Sequence, residues 1–433
     1  MSDPPKKYIK INGIMKLNPV WKKWKEDQAK ASGGAAAPVA ATSVANPSQA
    51  LPVVTNMEDH EAISAASAAA GGPEIALSES TNATIEMMQE PEIAGEAGMT
   101  PDTMVDELGA VLNKYEVPMG LMNKLMMLSE YDVLEFMIDD SGSMTLASDT
   151  VDPLTGKTST RWAECHRRLK EMIEIIAYVP FQQIGILFLN RQTTLGLTRN
   201  GRDPKTFLAD AFNQIDNVFK TGPSGSTPAF EKIQTSLAMG QGKQIARYFF
   251  GDGIPNGGQK AQKKIVEVLN ARANPQGNPM TFLSCTNEDA AVEWMKDAEE
   301  IVPYCSESDD FKDESAEVMK DQGAAFPFSY GFYLICALVG ASNPDDLDCM
   351  DESVPFTRPA LGNLLGIEQD EQSYKHYFDR FLEAQSKRPI EGPSDQLKKS
   401  VDWKPLYQDF MQAPTASMIP FVQDFKKKIA AAH

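Results

Sequence analysis

The chain has 433 residues, 42% of them apolar and 23% charged, with a formal net charge of −19. That balance supports a packed core and excludes the basic footprint that contact with nucleic acid or an anionic membrane requires. Five widely spaced cysteines (Cys165, Cys285, Cys305, Cys336 and Cys349) include no Cys-x-x-Cys pair, so neither a disulfide framework nor a zinc site is expected, and reduced thiols point to a cytoplasmic setting.

Residues 1–30 hold eight lysines against three acids. Among them Tyr8, Ile9, Ile11, Ile14, Leu17, Trp21 and Trp24 are interleaved with basic residues, the pattern of a docking peptide or of a weak contact with an anionic surface, with a solvated tail as the alternative. No apolar stretch follows the first residues, so no signal peptide is expected. Residues 31–102 read as a disordered, low-complexity acidic linker; no Lys or Arg occurs from 31 to 113. A short helical segment over 103–129 is broken near Pro118.

From residue 130 short apolar runs alternate with amphipathic stretches. Strands are expected at 133–138, 184–189, 193–197, 246–250, 280–285 and 301–305. Helices are expected at 161–178, at 204–219 behind an Asp203 N-cap, at 227–239, at 259–272, at 313–322 and at 328–340. A further helix ends at 300, with Thr286 and Asp289 as its capping box. Such alternation implies an α/β fold, doubly wound around a mostly parallel central sheet, with one antiparallel edge strand at the tight turn near Asn190. The longest apolar run, 328–341, is too short to cross a bilayer and reads as a buried helix. Residues 351–433 form a small helical C-terminal extension: Tyr374, Phe378, Phe381 and Leu382 suit one helix face, and 418–431 suggests a terminal helix.

The first strand of this region runs directly into Asp139-Asp140-Ser141-Gly142-Ser143. In a chain leaving a strand in extended form, residues at i, i+2 and i+4 point the same way. Asp139, Ser141 and Ser143 therefore present one carboxylate and two hydroxyls at the carboxyl end of a strand, where open α/β sheets bind ligands. Hard oxygen donors suit Mg²⁺ or Mn²⁺. Two later segments add donors: Gly225-Ser226-Thr227-Pro228 supplies the Thr227 hydroxyl before a helix, and Phe250-Gly251-Asp252-Gly253 ends a strand on the Asp252 carboxylate.

These three segments, in this order, resemble the von Willebrand factor A domain with its metal-ion-dependent adhesion site, over roughly residues 130–350. The resemblance implies a Rossmann-like fold of the intracellular type. It also implies that Ser141, Ser143 and Thr227 ligate the ion directly or through water, and that Asp139 and Asp252 act largely through water. One position then stays open for a carboxylate from a partner protein. Asp140, Gly225, Ser226 and Gly253 would border that position, and Trp21 and Trp24 would add contacts from the arm. Leu146 and Ala147 stand where adhesion receptors of the family often carry acids for a neighbouring regulatory ion, so no adjacent metal site is expected.

The expected function is therefore metal-dependent protein binding to a partner that presents Asp or Glu, with a place in a larger assembly and no enzymatic activity. A scaffold that associates independently of metal is the first alternative. A Mg²⁺-dependent phosphate-ester hydrolase is the second, although a haloacid-dehalogenase-type enzyme needs an Asp where Ser141 stands, and Gly242-Lys243 lacks the surroundings of a Walker A loop.

Overall fold

The structure, a computed structural model, describes residues 8–11, 14–17, 101–151, 158–286, 288–342, 347, 349–350, 353–390, 393–414 and 418. The chain divides into two units, Met1–Ser78 and Glu79–His433. In the first, β1 (Tyr8–Ile11) and β2 (Ile14–Leu17) pair antiparallel, with Tyr8 opposite Leu17 and Ile11 opposite Ile14. The Asn12-Gly13 dipeptide between two apolar runs favours such a hairpin. That part of the arm is thus a β-ribbon. Trp21, Trp24 and residues 31–100 of the linker lie outside the described residues.

In the second unit, α1 (Pro101–Lys114) is followed by a 3₁₀ turn at Met119–Leu121, a one-turn helix α2 (Met122–Met126) and a second 3₁₀ turn at Met127–Glu130. Pro118, which cannot continue a helix, immediately precedes the first turn. A six-stranded sheet follows, built from β3 (Val133–Ile138), β6 (Gln183–Phe188), β7 (Thr194–Leu197), β8 (Ile245–Gly251), β9 (Met280–Ser284) and β10 (Cys305–Ser308). The spatial order is β10-β9-β8-β3-β6-β7. All pairings are parallel except β6 with β7, where Ile184 faces Leu197. A separate two-stranded ribbon, β4 (Ala147–Val151) with β5 (Thr158–Thr160), leads into α3 (Arg161–Ile176).

Alternate residues of the strands face opposite layers. Leu134, Phe136 and Ile138 belong to one hydrophobic cluster with Ile184, Ile186, Tyr248 and Phe250. That face is covered by α3 and by α4 (Pro204–Phe219), whose N-terminus is capped by Asp203 through bonds from the amides of Lys205 and Thr206. Met137, Phe249, Met280 and Phe282 belong to the other cluster. Their cover is α5 (Ala229–Met239), α6 (Gly258–Asn270) and α7 (Asp289–Ile301). Burial on both faces explains why most of the strands read as largely apolar runs, with Glu135 in β3 and Arg247 in β8 as charged exceptions.

Beyond α8 (Phe311–Gln322) and the buried α9 (Tyr330–Val339) come α10 (Arg358–Leu365), α11 (Glu371–Lys387), α12 (Pro393–Lys399) and α13 (Tyr407–Met411). Tyr374, Phe378 and Phe381 of α11 are buried on one face, with Leu382 packed at the margin. They join the same cluster as the α3 side of the sheet. The expected terminal helix over 418–431 lies outside the described residues apart from Met418. No helix among the described residues is long and apolar enough to cross a membrane.

Two sequence expectations are corrected. The strand expected at 301–305 is displaced to Cys305–Ser308: Ile301 is the last residue of α7, and pairing with Met280–Leu283 of β9 selects the polar stretch instead. The N-cap of α7 is Glu288 rather than Thr286, whose hydroxyl accepts from the Glu288 amide; the Asp289 side chain lies outside the described residues.

One buried polar network crosses the sheet. Glu135 of β3 and Arg247 of β8 are a fully buried ion pair, 3.4 Å apart, with the Ser236 hydroxyl bridging both. Arg247 also donates to the side chain of Asn278. Removal of one partner strands a buried charge, whereas replacing both by apolar groups is far milder. Arg247→Met is expected to cost about 3–5 kcal/mol in urea unfolding. The Glu135→Leu/Arg247→Met double variant should recover most of that loss.

Candidate functional site

β3 is central, and the chain leaves it for β6 on one side and reaches β8 on the other only later. The carboxyl ends of β3 and β8 therefore flank a topological switch point, where an open α/β sheet forms a crevice. Ile138 is in register with Phe250, and the Asp139 amide continues the ladder by donating to the Phe250 carbonyl at 2.9 Å. This places Asp139 and Asp252 at the tops of adjacent strands.

The side chains then converge. Asp139 is fully buried, and its Oδ1 accepts from the Ser141 amide at 2.8 Å, which turns the chain after the strand. The Ser141 and Ser143 hydroxyls are 3.0 Å apart, and Ser143 donates to Oδ1 of Asp252 at 2.8 Å. Gly142 and Ser143 lie in a 3₁₀ turn, Gly142–Thr145. The loop before α5 is docked on the same turn: the Ser224 amide donates to the Asp140 carbonyl at 2.7 Å and the Gly142 amide to the Gly225 carbonyl at 3.0 Å. Thr227, two residues further on, is buried, with its amide held by the Asn256 side chain at 3.1 Å. Asp139, Ser141, Ser143 and Asp252 are thus linked by bonds through Ser141 and Ser143, and Thr227 enters on a loop tied to that chain.

Asp140 does not present its charge outward. It is 1% exposed and accepts from the Asn190 amide at 2.8 Å, from Asn190 Nδ2 at 3.1 Å and from Arg191 Nε at 2.9 Å. Arg191 also donates to the carbonyls of Val218 and Thr221 and lies over the rings of Trp162 and Phe188. Asp140 is thereby the anchor of the β6–β7 turn. Ser226 and Gly225 are exposed, and Gly253 is half-buried.

A second arginine completes the surroundings. Arg161, the first residue of α3, donates to Oδ2 of Asp252 at 3.0 Å and to Glu288 at 2.9 Å. Sequence reasoning missed Arg161, Asn190, Arg191, Asn256 and Glu288. They reach the site from other loops, and Arg161 is 91 positions from its Asp252 partner.

Burial pushes the Asp139 carboxyl up to about 7; the Ser141 hydrogen bonds pull it down, while the nearby carboxylates of Asp252 and Asp140 raise it further. Its Oδ2 is buried and has no hydrogen-bond partner among the described residues. A buried carboxylate oxygen of that kind is costly unless a cation compensates it or a proton neutralises it. The donor set around it, hydroxyls and carboxylates with no sulfur or imidazole, is of the hard type that suits Mg²⁺ or Mn²⁺. No group of three or more His, Cys, Asp or Glu side chains able to hold a metal occurs among the described residues, so any ion here would depend on the hydroxyls.

No protein-family model matches the chain, and no curated protein does. Among solved structures, the PilB minor pilin from Streptococcus sanguinis overlaps 41% of this chain and 56% of its own at 11% identity and a TM-score of 0.31. A point mutant of that pilin overlaps 41% and 57%, also at 11% identity and a TM-score of 0.31. The chain thus spans little more than half the length of those proteins, and overlap at that score carries no weight for fold or function.

Two glycines separate loop geometry from surface access. Gly225 has φ +106°, and a Cβ there would lie 2.8 Å from the Asn190 side chain. Gly253 has ordinary backbone angles and open space where a Cβ would go. Gly225→Ala should lower stability by about 1 kcal/mol or more, whereas Gly253→Ala should be neutral or slightly stabilising. Thermal unfolding of the two variants tests this contrast.

Proposed function

We propose that this chain is a von Willebrand factor A-type protein that binds a divalent cation at Asp139, Ser141, Ser143, Thr227 and Asp252, and uses it to grip an acidic side chain of a partner protein. The observation that carries this reading is the buried, unpartnered Oδ2 of Asp139 beside the hydrogen-bonded Ser141, Ser143 and Asp252 side chains.

Charge supports a bound cation. Four carboxylates (Asp139, Asp140, Asp252 and Glu288) face two guanidiniums, Arg161 and Arg191. Lys232 also acts on Asp140, so the four acids outnumber the nearby basic groups by one and the site favours a cation. An ion there would also draw the Asp139 proton off, because it compensates the burial that raises the carboxyl. When bound, the ion supplies a Lewis-acidic position with room for an outside oxygen ligand. The protein's own residues do the rest: Asp139 and Asp252 fix charge, the hydroxyls fix geometry, and Asp140 with Arg191 holds the adjoining loop.

The rim fits a docking surface for such an acid. Thr145, Leu146, Ala147, Ser224, Gly225, Ser226, Ile254 and Asn256 are exposed and uncharged in a chain of net charge −19. Leu146 and Ile254 are two of only five exposed large hydrophobic residues among those described, and both belong to the loops that carry Ser143 and Asp252. These uncharged side chains add no repulsion toward an acidic partner, although the exposed Glu288 carboxylate belongs to the same site, and apolar contact can add to the ion-mediated bond.

Thermal unfolding after EDTA treatment, followed by Mg²⁺ or Mn²⁺ titration, tests the reading. The wild type should gain about 2.7 kcal/mol at a hundredfold excess over Kd, and Asp139→Ala/Ser141→Ala should gain nothing. Equal response of both chains, or none in either, would favour a scaffold that associates independently of metal.

A further inference from the structure

We infer that Arg161 is a built-in counter-cation that weakens divalent-ion binding at this site and so keeps it reversible; the inference rests on the metal-site reading above. Both oxygens of Asp252 are already engaged by the protein, Oδ1 by the Ser143 hydroxyl and Oδ2 by Arg161 Nη1 at 3.0 Å. Any ion held by Ser143 and Asp252 therefore sits beside a fixed positive charge that is only 6% exposed and poorly screened by water.

Arg161 is held differently from Arg191. All three nitrogens of Arg191 donate to oxygen, two of them to backbone carbonyls that lock it to the fold. Arg161 makes its side-chain bonds to the carboxylates of Asp252 and Glu288, and its Nε is buried without a hydrogen-bond partner among the described residues. Its role follows from charge: it occupies Asp252 when no other cation does.

Glu288 supplies the other half of the device. Its carboxylate is 68% exposed and accepts from Nη2 at 2.9 Å, on the opposite arm of the same guanidinium. When an ion competes for Asp252, Arg161 keeps a partner in Glu288 and is not left as an unpaired buried charge. Asp252 is thus shared between a tethered cation and a diffusible one, and the affinity for the latter is set by the difference between them.

Mg²⁺ affinity, measured by isothermal titration calorimetry and by the Mg²⁺-induced shift in thermal unfolding, reads the effect directly. Arg161→Gln keeps a donor near Asp252 but removes the charge, and should tighten Mg²⁺ binding about tenfold or more. Arg161→Lys keeps the charge and should stay within about threefold of wild type. Glu288→Gln, at an exposed side chain where folding is not at stake, should weaken Mg²⁺ binding about threefold or more, because Arg161 then has only Asp252. Unchanged or weaker binding in Arg161→Gln, or unchanged binding in Glu288→Gln, overturns the counter-cation role while leaving the metal site standing. Absence of Mg²⁺ binding in the wild type and all variants overturns the metal-site reading itself.

Discussion

The buried carboxylate of Asp139 is the constraint on which the architecture of this site depends. It sits at the end of a central strand, anchored by the ladder bond from its own amide to Phe250. A charge so placed is tolerable only if its oxygens are met. One is met by the Ser141 amide, which turns the chain and starts the path through Ser141 and Ser143 to Asp252. The other is left for a cation in the reading proposed here. The parallel sheet matters because it aligns the carboxyl ends of β3 and β8, so that two acids 113 positions apart by number (252 − 139) come from adjacent strands.

Around that centre the chain manages charge by pairing acids with buried or half-buried arginines. Arg191 neutralises Asp140 and ties it to the β6–β7 turn and the end of α4. Arg161 neutralises Asp252 and ties α3 to the loop ahead of α7. The loops are consequently fixed from below, while Leu146, Ser226 and Ile254 are exposed and uncharged and Glu288 is the exposed acid of the site. In the reading proposed here, loops fixed in this way would need little ordering on binding a partner's acid.

Much of this was legible in the sequence, for identifiable reasons. Strands buried on both faces give largely apolar runs, as in Val133–Ile138 and Ile245–Gly251, each interrupted only by one member of the Glu135–Arg247 pair, and Asp203 announced α4 by its capping chemistry. The oxygen-bearing residues were legible from the Asp139, Ser141 and Ser143 spacing, but the 3₁₀ turn Gly142–Thr145, not the extended chain that spacing implied, brings Ser143 to Asp252. Illegible were elements whose identity comes from tertiary pairing. The β4–β5 ribbon is made of Ala, Ser, Asp, Val and Thr without apolar alternation, and β10 is polar enough that the neighbouring Ile301-Val302 pair drew the expectation away from it. The partners of the site acids were hidden for the same reason: Asn190, Arg191 and Glu288 belong to other loops, and no local spacing connects them to Asp139.

Mn²⁺ binding followed by electron paramagnetic resonance and water-proton relaxation tests the central claim most directly, because it counts bound ions and detects a coordination position open to outside ligands. The account predicts one competitively bound Mn²⁺ per chain, displaced by Mg²⁺, with exchangeable water that added acetate partly replaces, and loss of that ion in Asp139→Ala. Mn²⁺ binding that is absent, or that persists unchanged in Asp139→Ala, would contradict it.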